Sequence, residues 1–96
     1  MGPRYLTVDG MLSGTGIRDS VEGGYLDPGE LGVSAVLTER IVNWLARYER
    51  AHYVQFADAV EVDELDREGR AIAAQLQEQL PQAKIQYFSD AKMRLL

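Results

Sequence analysis

The chain contains no cysteine. Disulfides, thiolate zinc sites, iron–sulfur clusters and a cysteine nucleophile are therefore excluded together. It has a single histidine, His52, and no lysine before Lys84. Its uninterrupted apolar runs are only a few residues long, too short to span a bilayer. No basic start, apolar stretch and small-residue cleavage site open the sequence. The expectation is a cytoplasmic protein with no membrane partner.

What remains is globular in composition: 96 residues, 46% hydrophobic and 26% charged, which suffices for one core. No linker, repeat or low-complexity tract divides it, so 1–96 reads as a single domain. The expected parts are a glycine-rich strand and loop region at 1–33, helix one over 34–53, helix two over 58–80 and a C-terminal strand region at 83–96.

The net charge is −5, and it is not spread evenly. Asp58, Glu61, Asp63, Glu64, Asp66 and Glu68 fall within eleven residues and are opposed there only by Arg67, a local balance of −5. The rest of the chain sets nine acids against nine bases. A local anionic patch repels phosphates, so no nucleic-acid partner is expected. Acidic residues near a helix start favour the positive end of its dipole by about 0.3–1 kcal/mol each. The same patch would also speed encounter with a basic protein partner.

Eight of the nine glycines lie in the first 33 residues, around the β-prone run Tyr5-Leu6-Thr7-Val8. Asp9-Gly10 suggests a turn with positive φ, and Ser13-Gly14-Thr15-Gly16 an irregular loop. Ile17 to Asp19 and Gly24 to Leu26 flank Glu22-Gly23, which suits a small hairpin. Ser34 then caps a helix whose Leu37, Ile41, Trp44, Leu45 and Tyr48 form one apolar stripe. A second stripe runs through Leu65, Gly69, Ile72, Leu76 and Leu80, with Asp58 or Asp63 as N-cap and Pro81 as the stop. Gly69, in mid-stripe, reads as a close contact for a large side chain such as Trp44. After Pro81, Ala83, Ile85 and Tyr87 alternate toward the helices, with Lys84 and Gln86 toward solvent. Lys92 to Leu96 returns as an edge strand. The expected fold class is α+β: an antiparallel helical hairpin packed on a small sheet of two to four short strands, with Tyr5 to Val8 pairing against the Ile85 strand.

Chemistry is sparse. Ser13-Gly14-Thr15-Gly16 lacks the lysine of a phosphate loop, and Asp19 stands where a dinucleotide fingerprint needs its third glycine. His52, at the end of helix one, suits a solvent-facing position better than a catalytic base, and alone it makes no metal site. From Asp63, the third position of a calcium loop would be Leu65, which breaks that pattern. No catalytic residue, metal or cofactor is expected. Trp44, Tyr48 and Tyr87 suit the core. Tyr53 and Phe56, between the helices, suit either the core or a binding hot spot with Tyr48 and Arg50.

Glu61, Glu64 and Glu68 share helical spacing and, with Tyr53 and Phe56, are the candidate partner-binding residues. The leading reading is a non-enzymatic protein-interaction module, adaptor or immunity-type, that engages a basic partner. The alternative is a small-ligand or catalytic site built from Asp9, Asp19, Arg18 and Arg4 in the glycine-rich loops. The apolar Met93, Leu95 and Leu96 also allow a homodimer through Lys92 to Leu96.

The stretch Gly24-Tyr25-Leu26-Asp27-Pro28-Gly29-Glu30-Leu31-Gly32-Val33-Ser34 resembles one in small uncharacterised bacterial proteins, where a Val-Asp-Pro-Glu-Asp-Leu-like turn leads into a Leu-Ser-capped helix. Leu65-Asp66-Arg67-Glu68-Gly69-Arg70-Ala71 is similar to their later Phe-Asp-x-Glu-Gly-Arg-x-Leu-Ala helix, which also precedes an extended strand. The resemblance runs from Ile17 to Phe88. It departs at Leu65, which replaces an aromatic, and at Gly29, which replaces an acid; Asp58 to Asp63 reads as a local insertion. It implies an α+β module, sometimes found in toxin-immunity or secretion-linked gene neighbourhoods, and transfers no catalytic residue.

Overall fold

A computed structural model describes residues 4–96. Its elements in chain order are β1 (Tyr5–Val8), β2 (Ile17–Asp19), α1 (Ala35–Tyr53), α2 (Ala59–Gln79), β3 (Lys84–Ser89) and β4 (Arg94–Leu95). Two helices pack on a four-stranded mixed sheet ordered β2-β1-β3-β4, an α+β fold. β1 runs antiparallel to β2 and parallel to β3, with Leu6 opposite Ile85 and Val8 opposite Tyr87. A parallel pair needs a long crossover, and the helical hairpin is that crossover.

Alternation decides which face of each strand is buried. Leu6 and Val8 of β1 and Tyr87 of β3 join Ile17 in the core, whereas Lys84 and Gln86 are exposed. Thr7 lies between Leu6 and Val8 and is also buried, its hydroxyl bonded to Ser20 Oγ at 2.7 Å and accepting from Gln86 Nε2 at 3.0 Å. From the helices, Leu37, Ile41, Trp44 and Tyr48 of α1 meet Leu65, Ile72 and Leu76 of α2 over the sheet. Burying such side chains is the main favourable term in folding.

The caps hold the hairpin at both ends. Ser34 Oγ accepts from the Leu37 amide at 3.2 Å and from Gln79 Nε2 at 3.0 Å, so the last turn of α2 fastens the first turn of α1. Asp58 caps α2, its Oδ1 accepting from the Val60 and Glu61 amides at 3.0 and 3.2 Å. Asp63 instead lies inside α2, exposed and paired with Lys92 at 3.1 Å. Between the helices, Gln55 and Phe56 take the left-handed conformation, at φ 54° and 55°, and reverse the chain.

Two local expectations are corrected. Gly10 does not adopt positive φ; in this loop Ser13 and Gly16 do, at 66° and 92°. Gly10 is required sterically, because a Cβ there would lie 2.4 Å from Cγ of the buried Tyr48 ring. The last strand is confined to Arg94–Leu95, after a turn that puts Met93 at φ 57°. The small hairpin of Ile17 to Leu26 does form, as one antiparallel bridge of Arg18 with Tyr25 flanked by the Asp19 amide donating to the Gly24 carbonyl at 2.8 Å and the Leu26 amide to the Ile17 carbonyl at 2.9 Å. No helix among the described residues is long and apolar enough to cross a membrane.

Candidate functional site

The acidic segment lies on α2, and two of its three candidate carboxylates face α1. Arg40 donates to both oxygens of Glu68, Nε to Oε2 at 2.7 Å and Nη2 to Oε1 at 3.0 Å, and Nη1 also reaches Gln75 Oε1 at 2.8 Å. The two-point pair raises the guanidinium pKa and holds the Glu68 carboxyl below its usual range, even though partial burial pulls each the other way. Arg47 lies 3.9 Å from Glu61. Lys92 bridges Asp63 at 3.1 Å and Asp66 at 3.2 Å. Much of the local −5 is thus compensated across the fold. Glu64 is exposed and forms no ion pair among the described residues.

Tyr53 and Phe56 separate at the turn of the hairpin. Tyr53 is 73% exposed, its hydroxyl donating to Glu49 Oε1 at 3.2 Å. Phe56 is half-buried and packs edge-on against Tyr48 and His52, with ring centroids 5.9 and 4.8 Å away. Val54 and Val60 are exposed on either side of the turn. An open cleft there is lined by Arg47, Arg50, Val54, Phe56, Asp58 and Glu61. The arrangement places apolar surface beside carboxylates and guanidinium groups.

His52 corrects its expected solvent-facing position. It is half-buried, its Nε2 is 2.9 Å from the Gly10 carbonyl, and it ties the end of α1 to the loop after β1. Of the four residues in the alternative ligand site, Asp9 and Arg18 bind each other at 2.9 Å, and Tyr25 donates its hydroxyl to Asp9 at 2.7 Å. Burial, and then this bond to Asp9, push the Tyr25 phenol upward. Arg4 and Asp19 form a second, looser pair at 4.0 Å. Asp19 accepts from the Glu22 and Val21 amides, which lower its carboxyl pKa. The charges of this group are taken up in pairs with each other, the Asp9–Arg18 pair partly buried and the Arg4–Asp19 pair at the surface.

Sequence reasoning missed the centre around Asp66. Its carboxylate is buried, accepting from the Tyr87 hydroxyl at 2.7 Å on Oδ1 and from the Ser89 hydroxyl at 3.1 Å on Oδ2, where Lys92 also approaches. Asp66→Asn keeps the shape, but it removes the charge facing Lys92 and one of the two acceptor oxygens. The expected outcome is a loss of about 1–2 kcal/mol in urea unfolding. An unchanged midpoint would show that the bonds to Asp66 contribute nothing net. The signal was available: Asp66 follows Leu65 and sits three before Gly69, on the buried stripe.

Met93, Leu95 and Leu96 are exposed beside β3 at the β4 edge of the sheet. A search of curated proteins and a search of solved structures each found no match. A family model described as Serratia CdiI immunity protein-like matches residues 11–90, which span everything from the loop after β1 to the end of β3. The chain is an immunity-type protein-interaction module and belongs to the Serratia CdiI immunity protein-like family.

Proposed function

We propose that this chain neutralises a toxin in the cytoplasm by binding it through the turn end of the helical hairpin, and that the toxin's contacting face is basic. One observation carries the reading: Tyr53, Val54 and Val60 expose apolar surface next to carboxylates on the same end of the fold. Val60 and Glu64 are one helical turn apart on α2, so an aliphatic contact and an unpaired charge share one face. A rigid aromatic such as Tyr53 supplies much contact area for little lost side-chain freedom. Glu61 and Glu68 support this face from behind: their pairs with Arg47 and Arg40 fix α2 against α1 before any partner arrives. Phe56 does the same for the turn, packing inward while its neighbours face out.

The test is binding of a candidate toxin domain to the full chain, with growth protection measured in parallel. Tyr53→Ala is expected to weaken binding about tenfold or more, as hot-spot aromatics do. Glu64→Lys is expected to slow association and to weaken the salt dependence of its rate. Both changes lie on exposed positions and should leave unfolding midpoints within about 0.5 kcal/mol. Unchanged affinity and unchanged protection in both variants would reject this surface.

A further inference from the structure

Two buried carboxyl groups lie at one end of the sheet. Asp9 follows β1 and Asp90 follows β3, and these strands are parallel neighbours. Asp9 is only 2% exposed, but both its oxygens have donors: the Tyr25 hydroxyl at 2.7 Å and the Met11 amide at 3.3 Å on Oδ1, and Arg18 Nε at 2.9 Å on Oδ2. Asp90 is 5% exposed, and among the described residues neither of its oxygens has a hydrogen-bond partner.

A buried carboxylate with no donor, near a second carboxylate, is among the least favourable places for a charge. The groups facing Asp90 are Asp9 from the end of β1, Arg18 from β2, Tyr25 from the segment after β2, and His52 and Tyr48 from α1. None relieves it. Arg18 is bound to Asp9, and His52 Nε2 contacts the Gly10 carbonyl. The Tyr48 hydroxyl accepts from the Ala91 amide at 3.1 Å, and Lys92 turns away to Asp63 and Asp66.

We infer that Asp90 is a protonation-dependent latch: as the uncharged acid it lets the end of β3 pack beside Asp9, and on ionising it loosens that end and the Gly10–Gly16 loop. The loop depends on this corner at several points. The Asp9 amide donates to the Gly16 carbonyl at 3.2 Å, the Asp9 carboxylate holds the Met11 amide, His52 holds Gly10, and Gly10 rests on the Tyr48 ring. Met11 and Leu12, exposed on the same loop, would be released with it. The latch uses none of the exposed residues of the proposed toxin-binding face, Tyr53, Val54, Val60 and Glu64.

Burial, then the charge of Asp9, push the Asp90 carboxyl from 3.8 up to about 6, against the opposing pull of His52 and Arg18. A carboxyl raised on folding binds its proton more tightly in the folded state. It therefore favours folding at low pH, and that advantage is lost as pH rises from about 4 to 6. The carboxyls lowered on folding, Asp19 and Glu68, stabilise with the opposite sign: their contribution is lost as pH falls through and below their ordinary values of 3.8 and 4.5, and it changes little between about pH 5 and 7.5.

The experiment uses the full chain. Carboxyl-carbon NMR shifts, followed from pH 3 to 8, should show Asp90 titrating near 6; imidazoles titrate in the same window as a class, so the carbon itself is observed. The folding equilibrium constant should fall about tenfold between pH 5 and 7.5, and this fall should be absent from Asp90→Asn. At pH 7.5 the amides of Gly10 to Gly16 should exchange more slowly in Asp90→Asn than in the unaltered chain. Titration of Asp90 at or below about 4 would overturn the inference, and this reading needs no variant to fold. So would a pH dependence that survives in Asp90→Asn, or equal loop protection in the two proteins.

Discussion

Trp44→Ala is expected to remove about 3–5 kcal/mol of stability, which approaches the whole reserve of a domain this small. The indole is 1% exposed and sits where three elements meet. Tyr48 of α1 packs edge-on to it at 5.2 Å between centroids, and Tyr87 of β3 lies tilted at 6.1 Å. Its Nε1–H donates to the Leu65 carbonyl of α2 at 2.9 Å. Truncation therefore opens a cavity and loses a buried hydrogen bond in one step. Trp44→Phe should cost clearly less, since it keeps a ring in place and leaves the Leu65 carbonyl its helical partner. Circular dichroism in urea is the proper measurement, because Trp44 is the only tryptophan and fluorescence is lost with it. Cooperative unfolding at an unchanged midpoint in Trp44→Ala would contradict a central role for this side chain.

The elements that local periodicity controls were legible. Leu37, Ile41, Trp44 and Tyr48 recur at helical spacing, and all four are buried, because a helix face is fixed by residues three and four apart. Alternation in Ile85 to Tyr87, and the β-prone run Tyr5 to Val8, likewise gave the two strands that pair. What depends on distant residues was not legible. The run from Asp58 to Glu68 looks unopposed in sequence, yet Arg40 lies 28 residues before its partner Glu68, and Lys92 lies 29 residues after Asp63. Linear charge counting has no access to such pairs.

The candidate partner-binding residues divide the same way. The helical spacing of Glu61, Glu64 and Glu68 could be read from the sequence, but the neighbour that takes up Glu61 or Glu68 could not. His52 shows a related limit. A helix end exposes its last side chains by default, and only the return of the Gly10 loop over α1 gives this imidazole a partner. The donorless Asp90 is a third case, since burial at a strand end depends on what the rest of the chain packs around it.

Gly69 makes the interior contact readable from a single residue type, and it supplies the second large effect. A Cβ at this position would lie 2.3 Å from Tyr87 Cε1, 2.6 Å from Tyr87 Cζ and 2.9 Å from Trp44 Cζ2. The expectation of a close aromatic approach holds, with Tyr87 nearer than Trp44. Neither ring can easily withdraw: Tyr87 is anchored through its hydroxyl to Asp66, and Trp44 through its indole to the Leu65 carbonyl one turn before Gly69. On an exposed helix face, Gly→Ala would gain about 1 kcal/mol of helix propensity. Here overpacking opposes that gain, and Gly69→Ala should be destabilising by about 1–3 kcal/mol net. Gly69→Leu, with three further carbons and no space for them, should lose more than the upper end of that range and leave little cooperatively folded protein at 37 °C. The near-ultraviolet dichroism of Trp44, Tyr48 and Tyr87 should change with it, since the substitution forces their rings apart before the helix itself unwinds. A stabilised Gly69→Ala with an unaltered aromatic spectrum would mean that α2 stands farther from β3 than these contacts require.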